Sequence, residues 1–336
     1  VRQKLFVNLV ELVGSNYQIG MEQSNHIKFD EKYDMFQKLT STVDSTKAQS
    51  ILMEYSDGII EEIRGIADGL KIDFQTALRM YSGYDLTFPT MGCTAFSKEN
   101  YYIRNYDFSP ELYDGRLAFY NPEYGYASIG FSQQIIGRLD GMNEHGLVIG
   151  LHLVNEAKWS PGLMGTTIVR LVLDTCKDVG EAVNIITKLP HGYCYNYSLM
   201  DQDGNTCMVE ASPEEQVVTH HTPLICTNHF ETETLSNKNR TYIEGSLRRK
   251  NYLQELALET YSPEEAYQLF NNENSPLFFK EYRQFFGTLH TVIYIPKTLE
   301  VIVGIGGNAT PTRYSLAKWL QGDQHVKGEL VGEIDY

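Results

Sequence analysis

Residues 5–12, Leu-Phe-Val-Asn-Leu-Val-Glu-Leu, form a short apolar run that predicts a strand, and the Gly-Ser-Asn turn after it hands the chain to helical patterning. Between Thr46 and Leu70, the residues Ile51, Tyr55, Ile59, Ile63 and Ile66 recur at steps of three and four. They make one apolar stripe that must pack on something, with Gly69 as its expected stop. Asp73 is placed to cap a second helix over FQTALRMYSGY by accepting a backbone N–H. Up to about residue 88 the pattern is predominantly α.

At Cys93 the pattern changes to strands. CTAFSK, a polar Lys-Glu-Asn turn and YYIRNYDF predict a hairpin that begins at the cysteine. RLAFYNP, YASIGFS, IIGRLDGM and LVIGLHLV continue the strand pattern, the last two joined through Asn143, Glu144, His145 and Gly146. Thr166 to Leu189 returns to a helical period, NYSLMDQDGNTCMVEA reads as another hairpin, and VVTHH and LICTNHF as short strands. A helix is expected from about Ile243 to Thr260, followed by one capped by Ser262 with Pro263 at its first position, and then a hairpin over GTLHTVIYIPKTLEVIVGIG. Hairpins flanked by helices predict antiparallel sheets covered by helical layers, an α+β arrangement rather than a doubly wound parallel sheet. The expected division is a mainly helical segment, 1–92, packed on a core formed by 93–336.

Composition narrows the partners. Of 336 residues, 42% are hydrophobic and 21% charged, an ordinary globular balance. The 28 basic against 43 acidic residues leave a net charge of −15, a field that repels polyanions, so no nucleic-acid partner is expected. No apolar run approaches the roughly 18 to 20 residues that span a bilayer, so no membrane partner is expected either. Five cysteines, Cys93, Cys176, Cys194, Cys207 and Cys226, are odd in number and lack a repeated spacing. That argues against a disulfide framework and for a reducing compartment. With no secretory-signal pattern in the first residues, the expected location is the cytoplasm.

Candidate chemistry concentrates at Met91-Gly92-Cys93-Thr94, where helical pattern meets the first hairpin. A cysteine taken alone is usually a buried small hydrophobe. Glycine before it, however, leaves the preceding carbonyl unshielded by a Cβ, so the thiol can attack the Gly92 carbonyl and shift the acyl group from nitrogen to sulfur. Hydrolysis of that ester would leave Cys93 as a new N-terminus. Its α-amino group, with a pKa of about 7.7 to 8.0, would be a base for its own thiol and no histidine would be required.

The order of further motifs carries a family resemblance. The early Gly-Ser-Asn-Tyr-Gln-Ile-Gly turn, Gly65-Ile66-Ala67-Asp68-Gly69, Gly92-Cys93-Thr94, Arg104-Asn105-Tyr106-Asp107, Asp140-Gly141-Met142-Asn143-Glu144-His145-Gly146-Leu147 and Thr227-Asn228-His229-Phe230 run almost end to end. Together they resemble the acyl-coenzyme A:isopenicillin N acyltransferase family of N-terminal-nucleophile hydrolases, related to choloylglycine hydrolases and penicillin V acylases. The resemblance implies a four-layer αββα sandwich, autoproteolysis between Gly92 and Cys93, and Cys93 as nucleophile. It implies Asp107 on the freed amino group, Arg104 beside the sulfur, Asn143 (backbone N–H) and Asn228 (side-chain amide) as oxyanion-hole donors, and Arg249 of Ser246-Leu247-Arg248-Arg249 as another active-site arginine. Arg104 and Asp107 are three residues apart on one strand, nominally on opposite faces, so a twist or bulge is expected to bring both to the thiol.

Each of these residues has a structural reading as well: a surface ion pair for Arg104 and Asp107, a hairpin turn for Asn143, a strand-end amide for Asn228, a solvated helix face for the adjacent arginines. The expected activity is cleavage of a linear, non-peptide amide in a small N-acyl substrate through a Cys93 thioester. The alternatives are transfer of an acyl group, from acyl-coenzyme A or an amide, to an amine; an uncleaved, non-catalytic relative; and a cysteine enzyme with His229 or His290 as base. A homo-oligomer is compatible with the sequence. No cofactor or metal is expected: Gly304-Ile305-Gly306-Gly307-Asn308 lacks the third glycine of a dinucleotide loop, and Asp201-Gln202-Asp203-Gly204-Asn205 reaches Ser212 where a calcium loop needs Glu. Neither His191 with Cys194 nor His220 with His221 completes a zinc set. The aromatic stretch Phe278 to Phe286 reads as core before acyl pocket.

Overall fold

The strand expected at 5–12 extends in both directions to become β1 (Arg2–Gly14). The computed structural model describes residues 2–86, 90–157, 160–284 and 286–336. After β1 come α1 (Asn16–Ser24), α2 (Glu31–Leu39), α3 (Ser45–Tyr55), α4 (Asp57–Leu70) and α5 (Phe74–Tyr81). The apolar stripe is thus carried by two helices: Ser56 ends α3 and its hydroxyl accepts from Ile59 N–H to start α4. Gly69 lies within α4, which stops one residue later where Lys71 takes a left-handed conformation at φ 57°. Asp73 caps α5 through Thr76 N–H at 2.9 Å.

The hairpin at the cysteine is β2 (Gly92–Lys98) and β3 (Tyr101–Phe108). The chain continues through β4 (Arg116–Pro122), β5 (Ser128–Gln133), β6 (Gly137–Arg138), β7 (Asp140–Asn143) and β8 (Val148–Asn155). The helical stretch that follows breaks into α6 (Gly165–Thr175) and α7 (Val179–Ile186), because Asp178 caps a fresh start on Glu181 N–H. Then come β9 (Cys194–Met200), β10 (Thr206–Ala211), β11 (Gln216–Thr219), β12 (Ile225–Cys226), α8 (Glu244–Leu256) and α9 (Pro263–Asn271). The chain ends with β13 (Lys280–Glu281), β14 (Phe286–Ile295), β15 (Glu300–Ile305), β16 (Thr312–Ser315), α10 (Leu316–Leu320) and β17 (Glu329–Asp335).

Two sheets form. One runs β11-β10-β9-β8-β7-β5-β4-β1-β17, with β6 on β5; the other runs β12-β2-β3-β14-β15-β16, with β13 on β14. Their facing sides share one apolar core that includes Cys93, Ala95, Tyr102, Tyr106, Phe119 and Phe131. Outward-facing Phe96, Ile103, Ile293 and Ile302 pack instead on Leu253 of α8 and Tyr267 and Phe270 of α9. Helices α1, α4 and α6 cover the other sheet, so the layers stack as an αββα sandwich. Among the described residues no helix is long and apolar enough to cross a membrane.

The segment before Cys93 is built into this sandwich. β1 pairs antiparallel with β17 over Arg2–Asn8 and parallel with β4 over Asn8–Gly14. Buried Glu62 of α4 holds Arg170 of α6 at 2.6 Å, and Arg170 also grips Asp174 at 2.8 Å. Helices α1 and α4 cross at two glycines, where a Cβ on Gly20 would fall on the Glu62 carbonyl oxygen and one on Gly65 on that of Tyr17. A Gly65→Ala substitution must push the helices apart and should cost about 1–3 kcal/mol or more, read as a lower urea midpoint at unchanged m-value.

Candidate active site

Cys93 is the second residue of β2 and fully buried, and three of its atoms are held by three residues distant in sequence. Sγ accepts a hydrogen bond from Arg104 Nη2 at 2.9 Å. The backbone N–H donates to Asn228 Oδ1 at 2.8 Å, and the backbone carbonyl accepts from Arg249 Nη1 at 2.7 Å. Arg249 also donates to Thr94 Oγ1 at 2.7 Å and to Asn228 Oδ1 at 3.1 Å. The adjacent arginines of α8 therefore part company: Arg248 is solvated and Arg249 is buried.

Arg104 and Asp107 do not form a surface ion pair; both are fully buried, and each is paired elsewhere. The expected twist or bulge in β3 is unnecessary as well. Arg104 lies on the inner face, against the sulfur, and Asp107 on the outer face, against the main chain around Gly92, so strand alternation sends them to different ends of Cys93. The bulge falls in β14, between Thr288 and His290, and lets Thr288 face Asp107 while His290 faces inward. Asp107 Oδ1 accepts from Thr288 Oγ1 at 2.6 Å; its Oδ2 has no hydrogen bond, lies 3.7 Å from Arg249 Nη1, and would be 3.1 Å from a Cβ placed on Gly92. The Phe286 ring also occupies the space such a Cβ would need, so a side chain before Cys93 would have to displace that ring.

Burial governs the protonation states. It pushes the Cys93 thiol up to about 11, with the Arg104 guanidinium opposing the rise. Burial likewise raises Asp107 above the usual carboxylate range despite Arg249. Arg104 is kept charged against its own desolvation by Cys93 and by Asp140, whose Oδ2 lies 2.7 Å from Nη1. The sequence pattern does not single out Asp140 as a site residue. It is also held by Tyr294 OH at 2.6 Å and by His290 Nε2 at 3.5 Å, and although burial opposes its charge, Arg104 keeps its carboxyl below the usual range. The available signal is Arg104 itself: an arginine inside the apolar strand YYIRNYDF requires a buried carboxylate.

Asn228 reaches Cys93, but with its oxygen rather than its amide nitrogen. Nδ2 donates to Leu153 O at 2.8 Å, while Oδ1 receives Cys93 N–H and Arg249; a flipped amide would set donor against donor. Asn143 is occupied elsewhere: its N–H bonds Leu147 O at 3.0 Å within the β7–β8 turn, and its side chain bonds Leu173 O and Cys176 O. Its turn chemistry uses up the donor that the resemblance assigned to catalysis.

Three histidines lie close by. His290 is stacked on Phe131 at 3.6 Å and bonded to Tyr113 and Asp140; His229 bonds Ser246. His152, unremarked in the sequence, is buried against the Cys93 backbone with Nε2 on Ser198 Oγ at 2.8 Å, and burial holds it well below the usual histidine range, hence neutral. Of the aromatic stretch, Phe279 lies 5.0 Å from the Arg249 guanidinium and edge-on to Phe286, Tyr282 is core, and Phe285 lies outside the described residues. Among the described residues no three His, Cys, Asp or Glu side chains converge as metal ligands would.

Two facing sheets between helical layers, with a buried cysteine heading an inner strand, define an αββα fold of the N-terminal-nucleophile hydrolase type. The model of the family described as acyl-coenzyme A:6-aminopenicillanic acid acyl-transferase matches residues 95–310, and the chain belongs to that family, a family of enzymes. No sequence among curated proteins matches it. Solved structures resemble it at low identity. Penicillin V acylase from Agrobacterium tumefaciens is 18% identical over 68% of this chain and 86% of its own, with a TM-score of 0.41. A mutant of conjugated bile acid hydrolase from Clostridium perfringens is 12% identical over 74% and 97%, with a TM-score of 0.44. The Caenorhabditis elegans ortholog of N-acylethanolamine-hydrolyzing acid amidase is 13% identical over 61% and 93%, with a TM-score of 0.40.

The buried pair makes a direct prediction. Asp140→Asn leaves Arg104 charged without its counterion and should cost about 3–5 kcal/mol in urea unfolding, whereas Arg104→Met combined with Asp140→Leu should recover most of that loss.

Proposed function

We propose that the chain is the precursor of a cysteine amidase that cuts itself between Gly92 and Cys93 and then hydrolyses a small N-acyl amide through a Cys93 thioester. The observation that carries this reading is the threefold grip on Cys93: Arg104 at the sulfur, Asn228 at the nitrogen and Arg249 at the carbonyl. A structural cysteine has no need of a guanidinium on its sulfur.

In the first reaction the thiol attacks the Gly92 carbonyl carbon, the C–N bond breaks as the Cys93 nitrogen takes a proton, and water hydrolyses the resulting thioester to free the thiol and a Gly92 carboxylate. Before the cut the nitrogen is an amide and cannot act as a base, and the thiol sits near 11. After it, an amine of pKa about 8 stands beside the sulfur and can take its proton. Asp107 Oδ2, which accepts no hydrogen bond and lies against Gly92, is suited to receive the new ammonium. Thiolate attack on the substrate carbonyl then gives the acyl-enzyme, and the leaving amine takes the proton back. Water as acceptor makes a hydrolase and an amine makes an acyltransferase; the family description, which names acyl-coenzyme A, keeps the second reading beside the first.

We assign the acyl group to a hollow of about 470 Å³ between α2 and the loop after β3, which mixes Tyr33, Phe36, Phe108, Leu112 and Tyr113 with Lys28, Asp30, Lys32, Glu111 and Asp114 and is not lined by Cys93 itself. Tyr106, the cross-strand partner of Cys93, packs on Phe108 and Tyr113 at its inner end.

Denaturing mass spectrometry of the purified protein tests the proposal. Two fragments, the second beginning at Cys93, are expected for the wild type and one intact mass for Cys93→Ala. The two wild-type fragments should co-elute in size-exclusion chromatography, because β1 stays paired with β4 and β17. An intact wild-type chain whose Cys93 resists thiol probes would sink the proposal.

A further inference from the structure

The main-chain and side-chain groups of the loop that carries Asn228 are met by buried or half-buried partners. Asn196 Nδ2 donates to Thr227 O at 3.2 Å and His229 O at 2.8 Å, and Asn239 brackets Phe230 at both its N–H and its carbonyl. Asn228 itself is gripped at two points from one face of α8. Ser246 Oγ accepts the Asn228 N–H at 2.8 Å, and three residues on, Arg249 donates to Asn228 Oδ1 at 3.1 Å.

A serine hydroxyl has one proton and two lone pairs. With one lone pair taken by Asn228, Ser246 can give its proton to His229 Nδ1, 2.8 Å away, when the ring carries its own proton on Nε2; Thr227 Oγ1 is also 3.2 Å from Nδ1. In that tautomer the serine uses its proton on His229 and one lone pair on Asn228. Protonating Nδ1 turns it into a donor to the second lone pair, and the serine proton then loses its acceptor in a buried place.

From this we infer that His229 is a positioning residue for the reaction proposed above: through Ser246 it fixes the Asn228 that holds the Cys93 nitrogen, and it does so only in its neutral form. His229 never touches Cys93 and is not its base. The charged groups facing its ring are Glu231, which favours the imidazolium, and Lys250 and Arg249, which oppose it; Glu231 and Lys250 pair with each other at 2.7 Å. Burial is the largest influence and lowers the His229 pKa below the ordinary histidine value. The sign follows: the Ser246–Asn228 arrangement is intact above the unfolded pKa of about 6.5 and is lost as pH falls through the lower folded value.

The test has two arms. In the uncleaved Cys93→Ala chain, the His229 ring is titrated by NMR with and without Ser246→Ala; losing the serine proton donor should raise its pKa by about one unit, a tenfold shift in the protonation equilibrium. An unchanged value overturns the inference, and this arm needs no activity, so it stands apart from any failure of Cys93 as nucleophile. In the second arm, freshly translated chain is shifted into buffers from about pH 5 to 8 and self-cleavage is followed by electrophoresis. His229→Asn, whose side-chain oxygen can accept from Ser246 but cannot titrate, should cleave within about threefold of wild type near neutrality and lose the acid limb attributable to histidine, leaving that of Asp107; Ser246→Ala should cleave about tenfold slower throughout. A His229→Asn profile that superimposes on wild type at every pH overturns the inference, and should that variant fail to fold, the Ser246→Ala titration decides alone.

Discussion

The structure depends on one guanidinium. Arg104 projects from β3 into the space between the sheets and is wholly out of water, a position made tolerable by partners on both terminal nitrogens, although its Nε has no hydrogen bond. The opposite sheet supplies Asp140 and the carbonyls of Leu139 and Leu151, and its own sheet supplies the sulfur of Cys93. Leu139 O accepts Arg104 in addition to the Leu151 N–H at 3.0 Å, and Leu151 O lies just past the end of the β7–β8 pairing, where Arg104 takes it up. Burying Arg104 therefore fixes the spacing of the two sheets and the position of the thiol together. Tyr294 and His290, both on β14, orient Asp140 from the side of the sheet that Arg104 came from.

Cys93 is consequently addressed from two faces by residues with different tasks. The inner face offers a cation and a desolvated setting to the sulfur; the outer face offers Asn228, Arg249 and Asp107 to the main chain. Desolvation raises both groups from their ordinary values and takes the thiol to about 11, so the uncleaved cysteine is held as the less reactive thiol. Glycine at 92 belongs to the same arrangement, since the Phe286 ring and the Asp107 carboxylate close on the position a side chain would fill.

Local signals read well in the sequence. The hairpin that starts at the cysteine, the capping aspartate Asp73 and the capping box of Ser262 with Glu265 all act within a few residues, and all appear where expected. The alternation that sets Arg104 and Asp107 on opposite faces holds too; what pattern alone does not show is that a cysteine in a strand has two ends worth addressing. The breaks at Ser56 and Asp178 are carried by single capping side chains inside otherwise continuous apolar periodicity, which periodicity cannot see. Asp140, His152 and the orientation of the Asn228 amide arise from contacts between the two sheets or between a loop and α8, and no spacing along one strand encodes them. Asn143 shows the opposite case, where a motif matches but the turn it makes engages its donor.

The place of β1 has a consequence in time. Arg2 is paired with Asp335 and Asn8 with Arg116, so the first strand of the chain becomes an interior member of its sheet only when the last has been made. Pairings that distant in sequence close late in folding, after the local hairpins around Cys93 can already exist. The strand that completes the sheet is thus synthesised long after the residue pair that the proposed reaction would sever, and β17 has β1 as its neighbour along the sheet. A chain cut before its far end arrived would have to gather that end as a second molecule, at the mercy of dilution. A chain cut afterwards keeps both ends in register, so the slow step of folding stands as a clock against which any self-cleavage must run late.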